Sequence, residues 1–234
     1  MKSLSVLGIA VLCAVGTCVA AQQGAMVNGE YVITVNAGDP DVTLNSDDAS
    51  ALGTTVNLVK KGEGRLIVST DLSAQNWKGA VRVEEGYFKI TVPGACGVRD
   101  AAGLEIVPGA TFEVATTTYM TCRTLKFGGS GVNGTEGAIR LSVNSNVRIL
   151  DRPVNTDYQI ATMTDDALIV VPFSGKFLLF GYGTRNDMNS HKLTVMGPGQ
   201  FQMIGSMSNP GSVEVTGSGS SFTAVLSSEF EVIS

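Results

Sequence analysis

Histidine is almost missing from this chain: His191 is the only one in 234 residues. A Ser–His–Asp hydrolase would have to use it, and no G-x-S-x-G elbow accompanies it. His191 is therefore expected to be a surface loop residue. Cysteine is scarce as well. Only four are present, and two cysteines with one distant histidine do not make the four ligands of a structural zinc site. Charged residues make up only 16% of the chain, with 16 Lys plus Arg against 21 Asp plus Glu and a net charge of −5. There is no basic cluster, which argues against nucleic acid and anionic membranes as partners. Past residue 21 no apolar run approaches the roughly 18 residues needed to cross a bilayer.

Glycine, at 28 residues, and apolar residues, at 44%, are plentiful. That is enough apolar material for a core, so the chain is not of the disordered class. Residues 1–21 stand apart. Lys2 precedes an apolar run from Leu4 to Val19, and Val19, Ala20 and Ala21 offer small residues for cleavage before Gln22. This reads as a cleavable secretory signal peptide, and an uncleaved anchor or a lipoprotein signal at Cys18 are the weaker alternatives. One domain over residues 22–234 is expected after it. Cys96 and Cys122 then remain in an oxidising compartment. Their spacing is near one coil of the fold inferred below. Stacked strands lie about 4.8 Å apart, which suits the Cα separation of a disulfide. A Cys96–Cys122 bond is the expectation, with two unpaired cysteines as the alternative.

The organising stretch is residues 58–88. Leu66 and Val68 flank Ile67, Val81 and Val83 flank Arg82, and Phe88 and Ile90 flank Lys89. Each run has the two-residue period of a strand with one buried face. Gly62, Gly64, Gly79 and Gly86 punctuate the runs at corners. The polar bridge 69–75 carries no helical apolar stripe. Short strands joined by corners, with no helix to cover a face, predict a coil closing on itself. Leu193-x-Val195-x-Gly197-x-Gly199-x-Phe201-x-Met203 repeats the spacing of Leu58-x-Lys60-x-Gly62-x-Gly64-x-Leu66-x-Val68. Gly211, Val213 and Val215 likewise repeat Gly79, Val81 and Val83. Internal repetition favours a solenoid. On this reading Lys60, Glu84 and Glu85 are outward-facing corner residues.

The same residues resemble the autotransporter-associated β-strand repeat, which reads approximately L-x-K-x-G-x-G-x-L-x-L and then N-x-Y-x-G-G-x-x-V-x-x-G-x-L. Gly62, Gly64 and Leu66 match its first half. Trp77, standing for the usual tyrosine, and Gly79, Val83, Gly86 and Phe88 match the second. Here the aromatic directly follows Asn76, and Ala80 replaces the second glycine. The segment from Leu125 to Ile139 is similar to one that follows the first unit in that family. The resemblance implies an all-β, right-handed parallel β-helix outside a Gram-negative cell. The alternating strands of a membrane barrel are not seen in these 234 residues.

Elsewhere, Asp39, Asp41, Asp47 and Asp48 fall in segments expected to be solvated turns, at no EF-hand spacing. Residues 45–51 read as an acidic loop. Gly128 to Asn133 holds one copy of a motif similar to the calcium nonapeptide of β-rolls, which binds only when copies stack. No metal and no cofactor are therefore expected. Asp165–Asp166 and Glu84–Glu85 are adjacent carboxylates, but neighbours on a strand point to opposite faces. Trp77 and Tyr87 could stack on a sugar, with Trp77 expected to pack instead. The functional expectation is a non-enzymatic secreted or cell-surface structural or adhesion protein. Its expected contacts are host or matrix surface glycans or proteins, or further copies joined through the solenoid ends. The alternative is a polysaccharide-binding or polysaccharide-degrading β-helix.

Overall fold

In the computed structural model, residues 23–98, 101–116, 123–150, 159–217, 219 and 221–226 are described. The expected signal peptide, Cys122 and residues 227–234 lie outside them. The fold is a parallel β-helix of about seven turns, as the two-residue periodicity and glycine corners predict. The first coil carries β1 (Ala25–Val27), β2 (Glu30–Thr34), β3 (Val42–Thr43) and the helix α1 (Ser46–Leu52). The second carries β4 (Leu58–Lys61) and β5 (Arg65–Val68), the third β6 (Ala80–Val83) and β7 (Tyr87–Ile90), the fourth β8 (Gly103–Ile106) and β9 (Thr111–Val114). Then follow β10 (Thr124–Gly129), β11 (Ile139–Leu141), β12 (Val147–Ile149), β13 (Gln159–Val170) and β14 (Phe177–Asp187). The last strands are β15 (Leu193–Met196), β16 (Gln200–Ser208), β17 (Val213–Thr216) and β18 (Ser221–Leu226).

Three faces arise from the pairing. On the first, β2, β4, β6, β8, β10 and the start of β13 stack in parallel, followed by the ends of β14 and β16. On the second, β3, β5, β7, β9, β11, the end of β13, β15 and β17 do the same. The third face changes character along the axis. In the last coils it is a sheet of β12, the starts of β14 and β16, and β18. In the early coils it is helical: α1, then 3-10 turns at Leu72–Gln75 and Pro93–Cys96. Gln75 Nε2 donates to the Ala49 carbonyl at 2.9 Å and joins the first two of these. At the N-terminal end β1 pairs antiparallel with β2.

The expected acidic loop at 45–51 is therefore a helix. Asn45 caps it, accepting from the backbone N–H groups of Asp47 and Asp48, and Asp48 returns the bond to the Asn45 N–H. This reciprocal pair satisfies donors that a helix start otherwise leaves open. Asp48 is not a solvated turn residue. It is fully buried, and its Oδ1 also accepts from the Gln23 and Gly24 amides and the Tyr31 hydroxyl. One carboxylate thus starts α1 and fastens the N-terminal segment to the first coil.

Inward side chains form columns along the axis. Leu66, Phe88, Phe112 and Ile139 stack in register on the second face, all fully buried. On the third face Phe180, Phe201 and Phe222 follow one another at centroid distances of 4.9 and 6.0 Å. Such ring pairs add about 0.5–1.5 kcal/mol each beyond their burial. Trp77 is fully buried, and its indole N–H donates to the Val56 carbonyl at 2.9 Å. A β-carbon on Gly79 or Gly97 would approach its ring to 2.7 Å, so these glycines clasp it.

The two copies of the glycine motif do the same job at different corners. At 58–68 the motif joins the first face to the second, and at 193–203 it joins the second to the third. Gly62 (φ +75) and Gly197 (φ +105) adopt backbone conformations that suit glycine. A β-carbon on either would meet the preceding coil's carbonyl oxygen, Val35 O at 2.4 Å or Val171 O at 2.5 Å. The next glycines donate to those same oxygens, Gly64 N to Val35 O at 2.8 Å and Gly199 N to Val171 O at 3.0 Å. Gly79 and Gly211 repeat the close approach where β6 and β17 begin, on the carbonyls of Val56 and His191.

Gly109 separates backbone preference from close approach. Its φ is +98, and a β-carbon there would meet nothing within 4 Å. Gly109→Ala should cost about 1 kcal/mol for the left-handed backbone alone. Gly62→Ala should cost about 2–4 kcal/mol, because the corner must also move off Val35. Urea unfolding of both variants checks this, and equal losses would show that the contact with the coil beneath is unimportant.

Candidate functional site

The corner between the first and second faces runs from coil to coil along the axis. Over the first five coils it widens into a groove of about 590 Å³. Asp39, Asp41, Glu63, Glu84 and Glu85 line it, and Arg65 and Tyr87 lie among them. Farther along the same corner stand Asp165 and Asp166, where β13 crosses between faces, and His191, in the turn before β15. The edge is acidic over its first three coils and again at Asp165 and Asp166, because corner side chains point away from the core, where charge costs least.

Arg65 is the groove's central cation. Its Nε donates to Glu113 Oε2 at 2.8 Å, and its Nη1 to Asp41 Oδ1 at 3.3 Å. The guanidinium lies 4.6 Å from the centre of the Tyr87 ring, a cation–π contact. Parallel stacking explains the set. Arg65 pairs with Tyr87 and Tyr87 with Thr111, so Arg65 reaches across one coil to Glu113 on the next. Partial burial acts to lower the Arg65 pKa, but the hydrogen bonds and charges of Glu113 and Asp41 outweigh it and hold it above the usual value. Glu84 forms ion pairs with Lys61 at 3.2 Å and Arg82 at 3.7 Å, solvent-screened and worth at most about 1 kcal/mol each.

Lys60 overturns its expected outward position. It is fully buried and stands in an inward column, paired in register with Ile33 below and Val83 above. The stem fills the column and the ammonium reaches the corner from inside. Nζ donates to the carbonyls of Lys61 (2.9 Å), Gly62 and Glu85 (3.0 Å). All three ammonium donors are thereby used. Burial lowers its pKa from 10.5 to about 8, and the charge of Glu85 opposes the fall. Glu85 is engaged too, its Oε2 accepting from the Gly62 amide at 3.0 Å. Together they brace the groove's floor. The signal was in the sequence: Lys60 has the same parity as Leu58, which is the inward parity.

Gly62, Gly64, Gly79, Gly86, Gly197 and Gly199 are corner or close-approach positions, and Leu66, Val83 and Phe88 are core. Trp77, being buried, is unavailable to a sugar, whereas Tyr87 borders the groove. Cys96 is buried at the end of a 3-10 turn, and its expected partner Cys122 lies outside the described residues. Asp165 and Asp166 do not diverge as alternation predicts. The strand bends at the corner there, and both side chains are exposed beside His191.

The Lys60 pKa sets a stability window. The unfolded lysine holds its proton up to about 10.5 while the folded one releases it near 8, so between these values the unfolded chain binds more protons. Folding should therefore become more favourable as pH rises from 8 to 10.5, by no more than about 3 kcal/mol. Chemical unfolding of the protein and of Lys60→Met across this range isolates the effect. A difference between the two that stays flat with pH would exclude a depressed pKa.

No family model, curated protein or solved structure matches the chain, so the resemblance to the autotransporter-associated repeat rests on its motif residues alone.

Proposed function

We propose that the chain is an exported, non-enzymatic β-helical rod, a stalk or adhesive element of the passenger type, acting outside a Gram-negative cell. One observation carries this reading. Residues that could have served chemistry are used in building coils: Lys60 braces a corner, Trp77 packs in the core, and Arg65 is tied to Glu113 and Asp41. What the rod presents outward is an acidic, glycine-lined edge. Its contacts would be host or matrix surface glycans or proteins, or further copies. The full chain, expressed in a Gram-negative host, should appear outside the cytoplasm beginning at Gln22. Beads coated with it should adhere to matrix-coated surfaces or to one another. Cytoplasmic retention of the uncut chain would overturn export, and adhesion no better than that of bare beads would overturn the adhesive role.

A second reading has its own observation, the groove with Tyr87 at its border. Aromatic edges flanked by carboxylates suit the apolar face and hydroxyls of a sugar. The groove's charge disfavours anionic polysaccharides and leaves neutral or amine-bearing ones. A glycan array should then show binding that drops about tenfold or more in Tyr87→Ala. An array with no binding in any class sinks this reading.

A further inference from the structure

Asp165, Asp166 and His191 are far apart in sequence and come together because two coils stack. The bend of β13 brings Asp165 and Asp166 to the corner on one coil, and the turn before β15 brings His191 to the same corner on the next. The register Ala167↔Leu193 locks the two corners together. Backbone amides orient both carboxylates. Lys192 N donates to Asp166 Oδ1 at 2.8 Å, and Asp166 N donates to Asp165 Oδ1 at 2.8 Å. His191 Nδ1 lies 3.6 Å from Asp166 Oδ1. One donor atom from each of the three residues lies within 4.8 Å of the others. The neighbouring Lys192 sends its ammonium to Glu214, at 2.5 Å.

We propose that this trio binds a divalent ion of the zinc class on the solenoid's edge. The donor types and the spacing point the same way. Around a tetrahedral zinc, bonds of about 2.0–2.2 Å set two donors about 3.3–3.6 Å apart. The His191–Asp166 pair, at 3.6 Å, already has that separation. Asp165 is exposed and needs a shift of about 1.5 Å or less to reach it. The imidazole sets the class. Nitrogen suits zinc, nickel and copper, whereas calcium and magnesium take oxygen shells. Backbone N–H groups on the carboxylates supply the outer support that metal ligands commonly have. Three protein ligands leave a position open, so the ion can also take a donor from a partner molecule. The two coils would thereby be clipped together at this corner.

Zinc chloride titrated into the full chain in chelator-washed buffer should show one equivalent bound, with a Kd in the micromolar range. His191→Ala and Asp166→Asn should each weaken binding at least tenfold, with circular dichroism unchanged. Cu²⁺ loaded at one equivalent should give nitrogen hyperfine structure in its paramagnetic resonance spectrum, and His191→Ala should remove it. Excess calcium should not displace the zinc. Absence of binding, or both variants binding as the parent does, would overturn the proposal.

Discussion

Everything in this molecule answers to one spacing. A parallel coil lies about 4.8 Å above its predecessor, and at the corners the backbones approach more closely than a side chain allows. Gly62 and Gly64 rest on the Val35 and Asn36 carbonyls, and Gly86 rests on Gly62 and Gly64. The corner is thus a column of glycines and carbonyls rather than a row of separate turns. A β-carbon in one layer would displace the next, so the cost of substitution is shared along the stack. The same closeness creates the need that Lys60 meets. Carbonyls crowded at a corner lack enough amide donors, and an ammonium delivered from inside supplies three. A buried lysine is costly unless its donors are met. Here the corner that needs donors and the lysine that needs acceptors satisfy each other.

The outward side is built under weaker constraints. Arg65, Tyr87 and Glu113 interlock along the second face, where Arg65 and Tyr87 keep part of their surface in the groove while Glu113 is buried beneath the guanidinium. Changing Arg65 or Tyr87 alters what the groove presents without disturbing an inward column. This division separates folding from recognition: inward parity and corner glycines hold the coils, while corner carboxylates and outward aromatics are available for contact. The acidic groove of the early coils and the Asp165–Asp166–His191 corner share one edge, so one face of the rod carries most of its distinctive chemistry.

Much of the fold was legible in the residues. Alternation around Ile67, Arg82 and Lys89 placed the strands, and the glycine spacing at 58–68 and 193–203 placed corners. The helical part of the third face was less legible. Asn45 and Asp48 carry the capping signal, but a helix of seven residues leaves no apolar stripe to read. The trio at Asp165, Asp166 and His191 could not be read at all. Bringing those residues together requires the length of each coil, and that varies. Leu104 stacks on Leu125, 21 residues on, whereas Leu125 stacks on Ala161, 36 residues on. Insertions at corners change the count without changing the register of the strands.

Lys60 shows a different kind of miss, a rule set aside. The two-residue period assigned it inward, and its charge argued it outward. The period wins because the stem contributes apolar surface to the column while the head finds carbonyls within reach. At the corresponding position of the second copy stands Val195, also fully buried, with Gly197 and Gly199 still resting on the coil beneath. The glycine corner therefore does not depend on the lysine. What Lys60 adds is particular to its own corner, where Glu85 lies one coil above and presents both a carbonyl to the ammonium and a carboxylate to the Gly62 amide. The repeating unit is thus the corner itself, fixed by glycine and carbonyl. It is used between different pairs of faces and reinforced by side chains only where the adjoining coil supplies their partners.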